Sequence, residues 1–587
     1  MTYHPPVRDL GFALEAAGAE RLQEAFPGFD AETSAAVLEA AGALCADVLA
    51  PLNRVGDQQG SRLENGRVRT PDGFAEAFRA YGEGGWNGLS ADPEYGGQGL
   101  PRSLDLAVGE MVNAANMAFA LCPTLTAAVI EALQVHGTPA QKQTYLPRLI
   151  AGEWSGTMQL TEPQAGSDLS TVRATAEPDG EGGWRLTGQK IYITWGDHDC
   201  AGNIVGMVLA RTAGAPEGLK GLSLFVCPKR LVRKDGSLGE HNPVKPVSLE
   251  HKLGIHASPT CVMAYEGARA EMVGAQGQGL PNMFVMMNAA RVAVGAQGVG
   301  IAERAYQQAY AFAQERRQGR SLWSDQRPAP IIAHPDVRRM LLQAKAKIAA
   351  ARLICLSAGV AGDLARQASD AAARRQAKLR EELLTPIAKA WSTDVGVEVS
   401  SLGVQVHGGM GYIEETGAAQ HYRDARIPPI YEGTNGIQAN DLVGRKLLME
   451  GGEPARALLA ELHSTLGALN GDLEGVARHL RTAIKALETA TSELQGDAGG
   501  EHALAGAVPY ARLFGDVLGG ALLARQALLA RERIQAGAGD ADWLRGKTAL
   551  ARFYADHVLT GAVGWAQSAV AGADTPREAG AETLAPH

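Results

Sequence analysis

One carboxylate in this chain stands where a general base could work. Glu432 lies between Tyr431 and Gly433 in the segment RIPPIYEGTNGIQ, behind two prolines that favour an extended approach. The run from Asn435 to Gln438 fits a capping box, so a helix is predicted to begin there. Because the glycine lets the backbone approach a ligand closely, the turn suits a general base. The alternative is a glutamate that only complements the helix dipole in solvent.

Four further segments carry residue types that suit a flat, phosphate-bearing ligand. MQLTEPQAGSDLS (158–170) offers hydroxyls, a glycine and several N–H groups in a tight turn. KIYITWGD (190–197) places Tyr192 and Thr194 on one face of a strand, where a ring and a hydroxyl could cover a flat cofactor. ERRQG (315–319) ends a long helical segment, and the glycines of QVHGGMGY (405–412) allow close approach to a pyrophosphate. Each segment alone has an ordinary alternative as a capped turn, a solvated arginine pair or a tight turn.

The elements that position these segments follow a plan of helices, strands and helices. Apolar residues recur at helical spacing from about residue 30 to 150, and short strand-like runs follow from Trp154 to Gly274. Helical spacing returns from Gly279 to Leu448, and leucines three or four apart predict one further helix from Leu459 to Leu487. We therefore expect a multi-domain α+β protein that is mainly α. The expected domains are an N-terminal extension (1–34), a helical domain (35–155), a β-domain (156–278), a helical bundle (279–450) and an additional C-terminal helical domain (451–587).

Composition excludes several classes of function. The 587 residues carry a formal net charge of −9, which argues against a partner bound through phosphate contacts, such as a nucleic acid. Six cysteines are scattered without a CxxC pair, so we expect no metal site and a reducing compartment. The N-terminus has no secretory signal, and the apolar stretch from Met117 to Leu133 is too short to span a bilayer. A soluble cytoplasmic protein without stable membrane insertion is expected.

All four segments, in this order and followed by IYEGTN, resemble the acyl-CoA dehydrogenase family, and DPEYGGQG (92–99) fits it too. The resemblance covers roughly residues 30 to 448. It implies an N-terminal helical domain, a middle β-barrel or sandwich and a C-terminal four-helix bundle. YHPPVRDLGFALE at the start and KTALARFYADHVL (547–559) are similar to a longer bacterial subgroup with an additional C-terminal helical domain. That subgroup includes 3-methylthiopropionyl-CoA dehydrogenases and broad-range acyl-CoA dehydrogenases.

The resemblance implies an FAD-dependent dehydrogenase that converts an acyl-CoA thioester to the trans-2-enoyl-CoA. Glu432 would remove the α-proton while the β-hydride passes to flavin N5, and a backbone N–H at Glu432 would bind the thioester oxygen. Some relatives place the base on an earlier helix, where this chain reads Asn288-Ala-Ala-Arg291 without a carboxylate. Arg291 would orient Glu432 or the substrate. The residues predicted to contact the substrate are Arg291, Ser167, Asn288 and Gly433.

The resemblance also implies that FAD lies between the β-domain and the helices, and no GxGxxG follows a strand as a Rossmann site would require. The predicted contacts are Leu160, Thr161, Gly166, Ser167, Tyr192, Thr194, Thr434 and Asn435. The family commonly has tryptophan where Tyr192 stands. A second set would reach the adenine half of a neighbouring subunit's FAD: Arg316, Gln318, Gln405, Gly408 and Gly409. A shared site implies an oligomer, and relatives with the additional C-terminal domain tend to be dimers. We expect a homodimer that passes electrons to an electron-transfer flavoprotein.

Other functions within and beyond this family remain open. An acyl-CoA oxidase would pass electrons to O2, and pocket packing decides between the two. A nitroalkane-oxidase-like enzyme would have Asp where Glu432 stands. A non-catalytic DNA-associated flavoprotein would need a basic stripe, whereas acids outnumber Lys and Arg beyond Gly451. Membrane docking through the C-terminal helices has a faint basis in Arg525, Arg531 and Arg533.

Overall fold

The computed structural model describes residues 3–497 and 499–586. Residues 1, 2, 498 and 587, which the predicted terminal domains include, and the side chain of Val285 lie outside the described part. The N-terminal region is helical apart from one hairpin. Its elements are α1 (Val7–Ala16), α2 (Ala31–Leu44), α3 (Ala50–Gln59), β1 (Arg62–Glu64), β2 (Arg67–Arg69), α4 (Phe74–Glu83), α5 (Arg102–His136) and α6 (Pro139–Ile150). A single π-helical turn, Cys45–Leu49, joins α2 to α3.

The middle region forms a small closed barrel. Its strands are β3 (Trp154–Gln159), β4 (Thr175–Pro178), β5 (Trp184–Thr194), β6 (Asn203–Thr212), β7 (Leu222–Pro228), β8 (Arg230–Val232), β9 (Leu238–His241), β10 (Val244–Leu249) and β11 (Thr260–Val273). The ring closes because β7 pairs with both β6 and β11. From β11 the ring continues through β5 and then β4, and it returns to β6. β3 adds to β6 in parallel, and β10 adds to β11. All residues of β7 are buried, and the strand is apolar apart from Ser223.

Long helices then form a bundle. They are α7 (Gly279–Glu315), α8 (Pro335–Gln367) and α9 (Ala371–His407), followed by the short α10 (Ala418–Asp424) and α11 (Asn435–Gly444). Glycines let α7 approach α9 closely, since a Cβ at Gly298 would lie 2.4 Å from the carbonyl oxygen of Ser392. Among the described residues, five helical stretches are long and apolar enough to cross a membrane, and four of them bury 65–83% of their most apolar window inside the protein. One of the five is α5, which contains the stretch from Met117 to Leu133, so the prediction that this stretch is too short to span a bilayer is wrong on length.

The C-terminal region adds α12 (Glu453–Leu466), α13 (Glu474–Gly496), α14 (Glu501–Ala505), α15 (Ala507–Gln535), α16 (Ala541–His557), α17 (Ala562–Ala569), α18 (Asp574–Glu578) and α19 (Ala581–Leu584). The prediction of a single helix from Leu459 to Leu487 is wrong, because the helix is interrupted between the end of α12 at Leu466 and the start of α13 at Glu474. This region packs on the bundle: Trp391 Nε1 of α9 donates to Asp516 Oδ1 of α15 at 2.9 Å. Buried residues of α15, α8 and α9 belong to one continuous core.

The N-terminal helix α1 lies between the bundle and α16. Asp9 accepts hydrogen bonds from Lys345 of α8 at 3.0 Å and from Lys547 of α16 at 2.6 Å. Phe12 meets Trp543 edge-on, with 5.2 Å between ring centroids. Although burial acts to raise it, these two lysines hold the pKa of Asp9 far below its usual range. The start of the chain is therefore bound to its last long helix.

Candidate active site

Glu432 occupies a left-handed turn just ahead of α11. Its φ is +54° and that of Gly433 is +82°. A non-glycine residue in this region costs on the order of 1–3 kcal/mol, and such residues cluster at functional sites. Thr434 is the N-cap of α11, and its Oγ1 accepts from the N–H of Ile437 at 3.2 Å. The predicted capping box with Asn435 as the cap is therefore wrong by one residue.

Asn435 fastens this turn to α9. Its amide nitrogen lies 3.0 Å from the carbonyl oxygen of Ala390, 3.0 Å from Thr393 Oγ1 and 2.7 Å from Asp394 Oδ1. Its amide oxygen accepts from Lys389 Nζ at 2.9 Å. The side chain is predicted to contact the cofactor, and in the structure its amide nitrogen and its amide oxygen both bond to α9. In this structure Asn435 anchors α11.

The charges around Glu432 come from two helices. Arg291 of α7 is 8% exposed, donates to Asn288 Oδ1 at 3.2 Å, and has no partner for its Nε in the described part of the chain. Burial raises the pKa of the half-buried Glu432 carboxyl, and Arg291 and Lys389 oppose that rise. A carboxylate with a raised pKa is better matched to proton abstraction near neutral pH. The stretch from Asn288 to Arg291 reads Asn-Ala-Ala-Arg and so contains no carboxylate.

The first two predicted cofactor segments lie side by side. Lys190 Nζ of β5 donates to the carbonyl oxygen of Leu160 at 2.9 Å and to Glu162 Oε1 at 2.8 Å. The N–H of Ile191 donates to the carbonyl oxygen of Thr161 at 2.9 Å. The side chains of Glu162 and Lys190 are 4% and 0% exposed, so this is a buried ion pair. Sequence reasoning missed the pair, because Glu162 and Lys190 are 28 positions apart and both have polar neighbours in the sequence.

Tyr192 sits on a β-bulge. Cys261 and Met263 of β11 are paired with Ile193 and Lys190, so one residue of β11 faces two on β5. Tyr192 itself has a φ of +59° and is 61% exposed. Lys190 and Ile193 are buried while Tyr192 and Thr194 are not, so the ring and the hydroxyl lie on the open side of the strand, as predicted.

The donor set of this region fits FAD. Gly166 and Ser167 are exposed, and their backbone N–H groups have no acceptor among the residues that the structure describes. A Cβ placed on Gly166 would meet nothing within 4 Å, so the turn faces open space. Free N–H groups can hold a phosphate or the polar edge of a ring, and the open face of Tyr192 can cover a flat ring. These residues could hold the cofactor without rearrangement of the turn.

The second predicted set lies at the far end of the bundle. The rings of Phe312 and His407 stack with 4.5 Å between centroids, which brings the ends of α7 and α9 together. Five predicted residues lie there and are exposed: Arg316, Gln318, Gln405, Gly408 and Gly409. Arg316 follows Arg291 by 25 residues along α7, which is about 37 Å at the α-helical rise per residue. Within one chain this set is remote from Glu432.

A cavity of about 160 Å³ lies between α5, α7 and α8. It reaches Asn288, the hydrogen-bond partner of Arg291, and small residues such as Gly109, Ala120, Ala128 and Ala293 line much of its wall. Asn87 and Asn113 line it too, and the side-chain oxygen of each is buried without a hydrogen-bond partner among the described residues. The cavity could hold a short chain that carries a polar atom.

Four domain families match the chain. They are the acyl-CoA dehydrogenase N-terminal domain over residues 31–153, its middle domain over 157–268 and its C-terminal domain over 277–447. The fourth, described as acetyl-CoA dehydrogenase C-terminal like, matches residues 458–579. Together these matches account for most of the chain.

Relatives extend this likeness over the whole length. A 3-methylmercaptopropionyl-CoA dehydrogenase from Ruegeria pomeroyi is 48% identical over 569 residues, which cover 95% of this chain and 96% of that protein. Among solved structures, Caenorhabditis elegans ACDH-11 in complex with C11-CoA has a TM-score of 0.79 at 21% identity and covers 95% of this chain and 92% of its own. An acyl-CoA dehydrogenase complexed with FAD from Bacillus anthracis has a TM-score of 0.75 at 22% identity, covering 94% and 91%.

Proposed function

The chain belongs to the acyl-CoA dehydrogenase family, and we propose that it oxidises the α,β bond of a short acyl-CoA thioester with Glu432 as the base. The family, the fold class and the assignment as an FAD-dependent acyl-CoA dehydrogenase that the sequence predicted are confirmed. The roles of individual residues, the substrate, the electron acceptor and the assembly are the proposal.

The observation that carries the proposal is the position of Glu432. Its carboxylate sits beside Arg291 on a strained turn that Asn435 fastens to α9. The carboxylate takes the α-proton of the thioester, and the raised pKa makes it a stronger base than an exposed glutamate. FAD, when bound, supplies the acceptor for the hydride that leaves the β-carbon.

The backbone around Glu432 supports a second role. The N–H groups of Glu432, Gly433 and Thr434 have no acceptor in the described part of the chain. An N–H aimed at the thioester oxygen stabilises the negative charge that develops as the α-proton leaves. A positive φ at Glu432 is the backbone conformation that presents this edge of the turn, which explains why the strain is retained.

The substrate we propose is 3-methylmercaptopropionyl-CoA. It is supported by the relative that shares 48% identity over nearly the whole chain. The cavity beside Asn288 agrees with a short acyl group, since it encloses only about 160 Å³ of space.

The test of the base is the substitution Glu432→Gln. The variant should bind FAD and remain yellow, and yet fail to bleach when 3-methylmercaptopropionyl-CoA is added, because an amide cannot accept the α-proton. Glu450→Gln is a matched control: Glu450 also has a positive φ, of +48°, but forms a surface ion pair with Arg375. Bleaching of the Glu432 variant at the rate of the control would refute the assignment.

We also propose that two chains share their cofactor sites as a homodimer. The end of the bundle that carries Arg316 and Gly408 exposes large apolar side chains, among them Tyr412 (86% exposed) and Ile413 (45%). Substitution Tyr412→Glu should shift the sedimentation coefficient to that of a monomer and weaken FAD retention. Unchanged sedimentation would count against this interface.

The electron acceptor that we propose is an electron-transfer flavoprotein. Family membership supports it, and the nearest alternative is direct reaction with O2. Reduced enzyme mixed with air should reoxidise slowly, and addition of electron-transfer flavoprotein should speed reoxidation by orders of magnitude. Rapid reoxidation by air alone would make the protein an oxidase.

A further inference from the structure

Lys389 is a buried lysine that bonds to Asn435, the residue that anchors the Glu432 turn. It lies on α9 and is 0% exposed. Its Nζ donates to Asn435 Oδ1 at 2.9 Å and makes no other hydrogen bond in the described part of the chain. An ammonium group carries three protons, so two of them have no acceptor among the described residues.

Other buried lysines of this protein are paired directly with a carboxylate. Lys190 Nζ lies 2.8 Å from Glu162, and Lys347 Nζ lies 2.6 Å from Glu398. Lys389 makes no such ion pair among the described residues. A buried charge is costly unless it is compensated, so the absence of a direct partner calls for a role outside simple packing.

The charges that surround Lys389 belong to the site and its supports. Glu432 on the turn and Asp394 on α9 attract its positive charge, and Arg291 on α7 repels it. Asp394 is in turn faced by Arg512 from α15 and by Arg426 ahead of the turn. The carboxylate of Glu432 is thus one of the two groups whose negative charge compensates Lys389.

We propose that Lys389 is a positioning residue for the base: it holds the Glu432 turn through Asn435, and its buried charge helps to keep the Glu432 carboxylate ionised before substrate binds. This inference rests on the proposed role of Glu432. The hydrogen bond from Lys389 to Asn435 fixes the position of the Glu432 carboxylate. The positive charge of Lys389 affects how readily that carboxylate accepts a proton.

The titration behaviour of the two groups agrees with this arrangement. Burial lowers the pKa of Lys389 to about 7, and Asp394 and Glu432 act to raise it. Burial raises the pKa of Glu432, and Arg291 and Lys389 act to lower it. Loss of the positive charge at position 389 therefore raises the pKa of Glu432 further, and a base with a higher pKa is protonated over a wider range of acidic pH.

The test is the pH profile of flavin bleaching in Lys389→Met. The second-order rate constant for bleaching by 3-methylmercaptopropionyl-CoA would be measured by stopped flow from about pH 5.5 to about pH 9. We expect the acidic limb of this pH profile to move to higher pH by about one unit in Lys389→Met. At pH values well below the limb, the rate constant should then fall about tenfold. At the alkaline end, where Glu432 is ionised in both proteins, the difference should shrink to that caused by the lost hydrogen bond.

Two controls separate charge from packing. Lys347→Met makes the same change at a buried lysine of α8 that is paired with Glu398, and it should lower stability without moving the limb. Asn435→Ala removes the anchor and keeps the charge, so it should slow bleaching at every pH with the limb unmoved. Lys389→Gln, which keeps a donor and lacks the charge, replaces Lys389→Met if the latter fails to retain FAD.

The outcomes distinguish this inference from the proposed function. An acidic limb unmoved in Lys389→Met and Lys389→Gln would overturn the role of Lys389, and so would an equal shift in Lys347→Met. Full bleaching by Glu432→Gln would instead overturn the base itself. Loss of bleaching in Glu432→Gln together with an unmoved limb in Lys389→Met would leave the base in place and refute only the positioning role.

Discussion

The buried pair of Glu162 and Lys190 should be the most sensitive structural contact of the cofactor region. Substitution Glu162→Gln leaves the Lys190 ammonium buried with only the carbonyl oxygen of Leu160 as a full-strength acceptor. It also weakens the acceptor for the N–H groups of Arg173 and Ala174, which lie 2.7 and 3.0 Å from Glu162. We expect the loop that carries Gly166 to detach from β5 before the rest of the barrel unfolds.

The expected magnitude follows from the burial of both partners. Removal of one partner from a buried ion pair costs about 3–5 kcal/mol, because the remaining charge has no compensation. Glu162→Gln should therefore lower the free energy of unfolding by about 4 kcal/mol at pH 7. Substitution of both residues, Glu162→Gln with Lys190→Met, removes the stranded charge and should cost less than Glu162→Gln alone.

The pH dependence gives a second check. Burial lowers the pKa of Lys190 to about 8 against the opposing effect of Glu162, and loss of Glu162 must lower it further. Between that folded value and the unfolded value near 10.4, the unfolded chain binds more protons, so the stability of the variant rises with pH. Wild type gains stability in the same way above its own folded value of about 8, so the deficit of Glu162→Gln should shrink as pH rises toward about 8 and stay constant above it.

The assay is urea unfolding followed by circular dichroism and by release of flavin fluorescence. Glu181→Gln is the control, because Glu181 forms an exposed ion pair with Arg269 at 3.4 Å, and such pairs contribute about 0–1 kcal/mol. A Glu162→Gln deficit no larger than that of the control would refute the reasoning. A deficit that grows with pH would refute it as well.

Three further predictions concern stability and the turn. Asp9→Asn should lower the thermal midpoint strongly at pH 7 and somewhat less near about pH 3 in melting scans, since the depressed pKa of Asp9 gives stability that is complete above the unfolded value of about 3.9 and is lost only as pH falls toward the much lower folded value; a larger loss near pH 3 than at pH 7 would contradict this. Gly433→Ala should slow stopped-flow bleaching by an order of magnitude or more with FAD retained, because φ is +82° and the new Cβ would lie 2.7 Å from Gln438 Nε2; wild-type rates would contradict it. Arg291→Lys should raise the pH of the acidic limb less than Arg291→Met does, since the lysine keeps the charge that acts on Glu432, and equal limbs would contradict that.

Sequence periodicity predicted the helices well where a helix packs one face against a single core, because that face sets the spacing of its apolar residues. The helical spacing predicted from Gly279 to Leu448 corresponds to α7, α8 and α9 and the short helices after them, because an amphipathic stripe against a bundle core repeats every three or four residues. The same signal misled the prediction beyond Leu459. Buried or partly buried leucines continue at helical spacing through Leu466, Leu469 and Leu473, although the backbone turns there, so periodicity alone could not show the break between α12 and α13.

The site was predictable to the extent that its chemistry is local. A carboxylate on a glycine-bearing turn can be seen in the sequence, and the structure places Glu432 there beside Arg291. The partners that tune and hold it could not be seen, because Lys389 reaches Asn435 across 46 positions of the chain. The bulge at Tyr192 was missed for a related reason: it depends on the register with β11, which no single strand encodes.

The contact between the first helix and the last long helix has a consequence for biosynthesis. Asp9 and Lys547 are 538 positions apart, and a ribosome adding about 5–20 residues per second needs roughly 30 to 110 seconds to make that stretch. During this time Phe12 and the other apolar residues of α1 have no final partner from α16. The helix α1 therefore leaves the ribosome long before it can pack against α16. A chaperone that shields α1, or an added tag that blocks its packing, should affect the yield of folded protein more than the same change placed after α16.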